Sequence, residues 1–216
     1  MRFATCFVAL HVLVGAVTPL CGQTSTSDST PAIPGSPLEW KQISMEGIWR
    51  ADGIVDSVFI ARRLAEGTVG GADWVSYLAA RLGAIPIPDS MGVLVAADTG
   101  HILIRSRIMD LPTETRSLFG PLLYFADSTT TLEAEIVSRM GTGLVRFVLT
   151  TIKINGFAVP ESVLSVFLAR VGRQYPALTK SGRVLDVAVP PDGVVTLQRN
   201  GLRVWIDPSR ARAPLR

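Results

Sequence analysis

The stretch from Gly143 to Gly172 constrains this chain more than any other. Its first half, Leu144 to Ile154, is rich in β-branched and aromatic residues, which suit a pleated surface. Asn155-Gly156 interrupts it, because both residue types tolerate positive φ. Pro160 and Glu161 then stand where a helix starts: proline needs no N–H there, and an acid favours the helix dipole. From Pro160 to Val171 the helix is apolar around most of its girth. Val163, Leu164, Phe167, Leu168 and Val171 form the main stripe and Val166 widens it, with Ser162, Ser165 and Arg170 as the only polar relief. A helix this greasy is expected to be largely covered. The strand that feeds it supplies a cover, so the reading is a curved sheet holding an apolar helix.

The remaining segments supply that sheet. A helix is predicted over 73–82, after Gly70-Gly71 and before Gly83, with Trp74, Val75, Leu78, Ala79 and Leu82 at helical spacing. Residues 91–109 read as a hairpin turning at Asp98-Thr99-Gly100. Its second arm alternates Ile102, Ile104 and Ile108 with His101, Arg105 and Arg107. In 129–139, Leu132, Ala134 and Ile136 alternate with Glu133 and Glu135. Three more strands, 184–189, 194–197 and 202–206, read as a closing meander, with Asn200-Gly201 as a hairpin signal. Three segments stay open. Residues 38–52 suit a short helix or a packed arm. Residues 57–63 suit a first strand, although 61–66 would also suit a helix. Residues 111–126, crowded with Leu118, Phe119, Leu122, Leu123, Tyr124 and Phe125 around Gly120-Pro121, suit a broken helix or a mobile apolar loop. The class is α+β: a long curved antiparallel sheet wrapped around an apolar helix, with a second shorter helix.

The expected domain organisation is a signal peptide over 1–23, a Ser/Thr/Pro tether over 24–38, one α+β domain over 39–207 and a basic tail over 208–216. Arg2, a short apolar run over 3–17 and Thr18-Pro19-Leu20-Cys21-Gly22 carry the first expectation. Acylation at Cys21 fits poorly, because Leu20 precedes it where a small residue is wanted. Both cysteines, Cys6 and Cys21, fall in or beside this segment, so no disulfide, thiol nucleophile or cysteine metal site is expected after cleavage. The formal charge is +3, one unit of it from Arg2. That is too weak a surplus to argue for nucleic acid.

Chemical signatures are sparse. After the leader, His101 is the one remaining histidine, so the common zinc sites and a Ser-His-Asp triad lack their parts. Gly141-Thr142-Gly143 is not followed by a phosphate-binding pattern. Glu133 and Glu135 alternate on one strand face, which is the rule for an outer face and not a catalytic pair. No catalytic residue, metal ligand or cofactor is assigned.

Residues 67–78, Gly-Thr-Val-Gly-Gly-Ala-Asp-Trp-Val-Ser-Tyr-Leu, and 152–164, Ile-Lys-Ile-Asn-Gly-Phe-Ala-Val-Pro-Glu-Ser-Val-Leu, resemble exported bacterial LmeA-like phospholipid-binding domains. The likeness spans about residues 55–206 and departs from the family at its first helix, where Val75 or Ser76 replaces a polar Asn. It implies a tubular lipid-binding architecture and an apolar ligand. The candidate ligand-binding residues are Phe147, Val163, Leu164, Phe167, Leu168 and Val171. The candidate headgroup or membrane contacts are Arg105, Arg107, Leu122 and Phe125. The expected function is an exported, non-enzymatic protein that binds a lipid or other apolar molecule in the cell envelope, with peripheral membrane contact. The alternative is an envelope structural or assembly protein that works through protein–protein contacts.

Overall fold

The computed structural model describes residues 37–84, 86–88, 91–111, 113–120, 126–141, 143–175, 177–179 and 181–210. The expected signal peptide, nearly all of the tether and most of the basic tail lie outside these residues. The described part belongs to one unit, Pro34–Arg216.

A two-residue strand β1 (Lys41–Gln42) leads into α1 (Met45–Val55). Ser44 caps α1: its backbone is extended and its hydroxyl accepts the Gly47 N–H at 3.0 Å. The helix runs on into a π-helical turn, Asp56–Ile60. The open segment 38–52 is therefore mainly helical; the strand expected at 57–63 is replaced by the π-helical turn, and the alternative helix over 61–66 does not form. The β-branched residues of 57–63 suited a strand, but Val58 and Phe59 instead reach the core from the helix end.

Strand β2 (Glu66–Gly70) enters α2 (Gly71–Arg81). This helix matches the expected one closely, although its deepest residues are Trp74, Ser76, Tyr77 and Leu78. It lies hard against α1. A Cβ on Gly47 would stand 2.9 Å from Asp73 Oδ1. Ser76, fully buried, accepts the Ser44 N–H and donates to the Ala72 carbonyl. Arg50 clasps Asp73 across the outside of the contact at 2.7 and 3.1 Å.

The expected hairpin is β3 (Leu94–Asp98) and β4 (His101–Arg107). A 3₁₀ turn (Ile108–Asp110) and the short helix α3 (Thr113–Leu118) follow, so 111–120 is partly helical. Strands β5 (Thr131–Met140) and β6 (Leu144–Ile154) come next. Asn155 and Gly156, at φ 50° and 80°, turn the chain into β7 (Phe157–Ala158), and α4 (Glu161–Gln174) follows. The chain closes with β8 (Val184–Ala188), β9 (Gly193–Gln198) and β10 (Gly201–Ile206).

Seven strands form a curved antiparallel sheet in the order β1-β3-β4-β5-β6-β7, with β8 also on β6. A second sheet has the order β2-β10-β9. The expected closing meander is thus split. Pro190-Pro191 separates β8 from β9, and prolines without N–H groups do not continue a hairpin ladder. Strand β8 joins β6, while β9 and β10 pair with β2.

Register assigns each residue of the large sheet to a face. Ile102, Ile136 and Leu149 stand in one cross-strand row, and Ile104, Ala134 and Ile152 in the next. These rows face inward, toward α2, the small sheet and α4. The opposite face carries Arg105, Glu133 and Lys153 in one row and Leu103, Glu135 and Thr151 in the adjacent row. The pairing of β5 with β6 slips at Glu135/Ile136, opposite Thr150. This bulge keeps apolar residues inward on both sides of the slip and sharpens the local bend.

Two apolar clusters lie on the inner face. The larger gathers Trp74, Tyr77, Ile102, Phe147, Leu197 and Val204, among others. The smaller is centred on Ile152, Leu164 and Leu168 and is the footing of α4.

Candidate functional site

Helix α4 meets β6 over a narrow stripe. Leu164 and Leu168 are 3% and 2% exposed. The next residues outward are not covered: Val163 is 39% exposed and Val166 65%. This corrects the expectation of a helix covered nearly all round. One layer of sheet touches one stripe of the helix, and Phe119 at the end of α3 covers part of its flank, which leaves Val163 and Val166 outside. Phe157, on β7 just before α4, is 80% exposed.

Beneath α4 is a crevice of about 10 Å³ lined by Phe119, Ile152, Ile154, Val159, Leu164 and Phe167. No polar side chain lines it. It is nearly shut by Phe119, from the end of α3, whose ring stacks on Phe167 with centroids 4.8 Å apart. Two ties position the helix. The Arg183 guanidinium meets the Glu161 carboxylate at 2.6 Å in the first turn. In the last turns, Gly172 lies against Gly182, so closely that a Cβ on Gly172 would stand 2.7 Å from the Thr179 carbonyl oxygen.

The expected ligand residues therefore divide. Leu164 and Phe167 line the crevice, and Leu168 packs in the same cluster. Val171 is half-buried further along the helix, and Val163 stands at the exposed margin. Phe147 is elsewhere. It is 3% exposed in the larger core, its ring centroid 6.0 Å from that of Trp74. Alternation placed it correctly on the inner face, but it sits five residues before Ile152 on β6, toward α2. Phe119, Ile152, Ile154 and Val159 were missed as a group. Their apolar character was plain, but only the strand register brings them to one place.

Of the expected membrane contacts, Arg105 and Arg107 are exposed. Each is already engaged. Arg105 donates to Glu133 at 3.0 Å and lies over the Trp40 ring, 4.6 Å from its centroid. Arg107 donates to Asp110 at 2.7 Å, and that bond raises its pKa further. Leu122 and Phe125 lie outside the described residues.

The outer face of the sheet has a larger depression. A groove of about 200 Å³ is lined by Trp40, Leu103, Arg105, Glu133, Glu135, Thr151 and Lys153, together with Ile104 and Ala134 of the same strands. His101 Nδ1 is 2.6 Å from Glu135 Oε1, and the Thr150 hydroxyl donates to the Glu135 carbonyl at 3.1 Å. Among the described residues, no group of three or more His, Cys, Asp or Glu is placed to hold a metal ion. No described helix is long and apolar enough to cross a membrane.

No family model, curated protein or solved structure matches this chain. The arrangement must therefore be read on its own chemistry. Among the described residues, the side chains that line the crevice under α4 are all apolar. What it offers is apolar surface with an exposed apolar margin.

Proposed function

We propose that this protein is an exported, non-enzymatic protein that binds a lipid or another apolar ligand, with the crevice between α4 and β6 as its site. The observation that carries the reading is the all-apolar lining of that crevice, continued outside by Phe157, Val163 and Val166. At about 10 Å³ the crevice holds no acyl chain as it stands. A chain enters by parting Phe119 from Phe167 and tilting the first turns of α4. Those turns are the part that can move: they are held by Leu164 and the surface Arg183–Glu161 ion pair, while the Gly172–Gly182 backbone contact pins the other end. The exposed margin suits contact with a membrane during uptake.

The test is native mass spectrometry of the protein purified from cells, followed by organic extraction. A bound lipid-range mass is expected, and it should be lost in Phe167→Asp. Val166→Glu changes only the margin, so it should fold normally and load more slowly. Folded protein that emerges empty and takes up no fluorescent fatty acid would end this reading. Recovery of one stoichiometric protein partner without lipid would turn attention to envelope assembly.

A further inference from the structure

The groove on the outer face of the large sheet has chemistry of its own. We infer that it is a carbohydrate site: it takes one ring of a neutral, polyhydroxylated ligand. The inference does not rest on the apolar site under α4, which opens on the other face of the sheet.

Charge balance is the first argument. Two cations, Arg105 and Lys153, alternate with two carboxylates, Glu133 and Glu135, so the formal charges of the lining cancel. A bare anion placed there meets two carboxylates, and a bare cation meets two basic groups. A neutral ligand with both donors and acceptors meets neither penalty.

The second argument is hydrogen-bonding capacity. Glu133 uses Oε1 for Arg105, and Glu135 uses Oε1 for His101. The Oε2 atom of each has no partner among the described residues, and neither does the Lys153 ammonium or the Thr151 hydroxyl. Cross-strand pairing sets Glu133 beside Lys153 and Glu135 beside Thr151. Directly paired residues stand about 5 Å apart at the backbone, so a ligand carrying several hydroxyls can reach a donor and an acceptor together. Vicinal hydroxyls can bridge a carboxylate oxygen and a neighbouring ammonium.

The third argument is the apolar part. Leu103 and Trp40 are the apolar side chains of the outer row and rim, and the Arg105 guanidinium lies over one face of the Trp40 ring. A sugar ring has a flat C–H face that packs on such surface while its hydroxyls reach the polar rim. The volume also fits. At about 200 Å³ and open on one side, the groove is below the roughly 300–1,000 Å³ of a pocket that encloses a whole ligand. One ring of a larger chain suits it better than a buried molecule. The bulge at Glu135/Ile136 deepens the bend where Glu135 and Thr151 stand.

The experiment uses the ¹⁵N-indole NMR signals of the four tryptophans, with Trp40→Phe to assign the one in the groove. The probes are maltotriose, N,N′-diacetylchitobiose and xylotriose at millimolar concentration, with inorganic phosphate and phosphocholine as charged controls. At least one sugar should shift the Trp40 signal and leave Trp49, Trp74 and Trp205 in place. That shift should survive added salt, because the ligand carries no charge to screen. Glu133→Gln keeps the shape of the site and should weaken the binding about tenfold, the scale of one lost charge-assisted hydrogen bond. Thr151→Val, on an adjacent strand, should weaken it less and serves if Glu133→Gln fails to fold. No shift with any of the three sugars would overturn the inference. So would a sugar shift indifferent to both variants, or a salt-sensitive shift with phosphate or phosphocholine alone.

Discussion

Gly182 is the residue with the least room for change. It has φ +67°, and a Cβ there would collide with the backbone of Leu168 and lie 3.0 Å from the Gly172 nitrogen. Gly182→Ala should therefore cost about 3 kcal/mol of stability, combining a left-handed alanine with a backbone clash, and a urea titration would read it. Ser44→Ala should cost about 1 kcal/mol for the lost cap of α1. It also removes nothing from Ser76, which keeps the Ala72 carbonyl as its acceptor. Among the described residues, four carboxyls with lowered pKa link stability to pH, and two of them are held by arginine. Bonds from Arg62 hold Asp192 below the usual carboxylate range, and bonds from Arg146 do the same for Asp186. In both cases the folded pKa is lower than the unfolded one. Their contribution is present in full above the unfolded value of roughly 4, and it is lost as pH falls through the lower folded value. Asp192→Asn should flatten the acid limb of a plot of unfolding midpoint against pH and lower its plateau near neutrality. An unchanged acid limb would mean that Asp192 titrates alike in both states.

At the scale of elements, the two helices that were predicted differ in how they are held. Helix α2 is embedded: Trp74, Tyr77 and Leu78 are all in the larger core, and Arg50 ties its first turn to α1. Helix α4 rests on Leu164 and Leu168. Hydrogen exchange should show this directly, with amides in the first half of α4 exchanging well before those of α2 or of β4 to β6. Equal protection would exclude an opening helix and with it the entry route for an acyl chain. The helices, the β3–β4 hairpin and β5–β6 were legible because each has its own local pattern: helical spacing around Trp74, strict alternation from Leu132, and Asn155-Gly156 at a tight turn. What could not be read was which side of an element would be left open. The composition of α4 argued for cover all round, yet Val163 and Val166 are outside. Apolar content says what a helix prefers, and only the count of layers around it says what it receives. Likewise Phe147 showed its face but not its neighbours. Trp40 gave no hint of a groove, because the other lining residues lie about sixty to a hundred and ten positions away.

At the scale of the whole unit, ion pairs hold little. In Arg50–Asp73, Arg62–Asp192, Arg105–Glu133 and Arg146–Asp186 the arginine ends are exposed, so water and salt screen the pairs. Thermal unfolding should shift little between low and high ionic strength, and a large fall in molar salt would show that these pairs act as a network. The greater constraint is the small sheet. Its strands β2 and β10 pair along their length, from Gly70 with Gly201 to Glu66 with Trp205, and Arg203 binds a Glu66 that lies 137 residues earlier. During synthesis β2 emerges early and has no strand partner until β10 follows it. The local hairpins can form as they appear, but the layer that closes the larger core waits for Leu202 and Val204, both fully buried. A nascent or truncated chain that stops before Gly201 is therefore an open, protease-sensitive intermediate. Release of the last strand is the event that commits the molecule to its folded state.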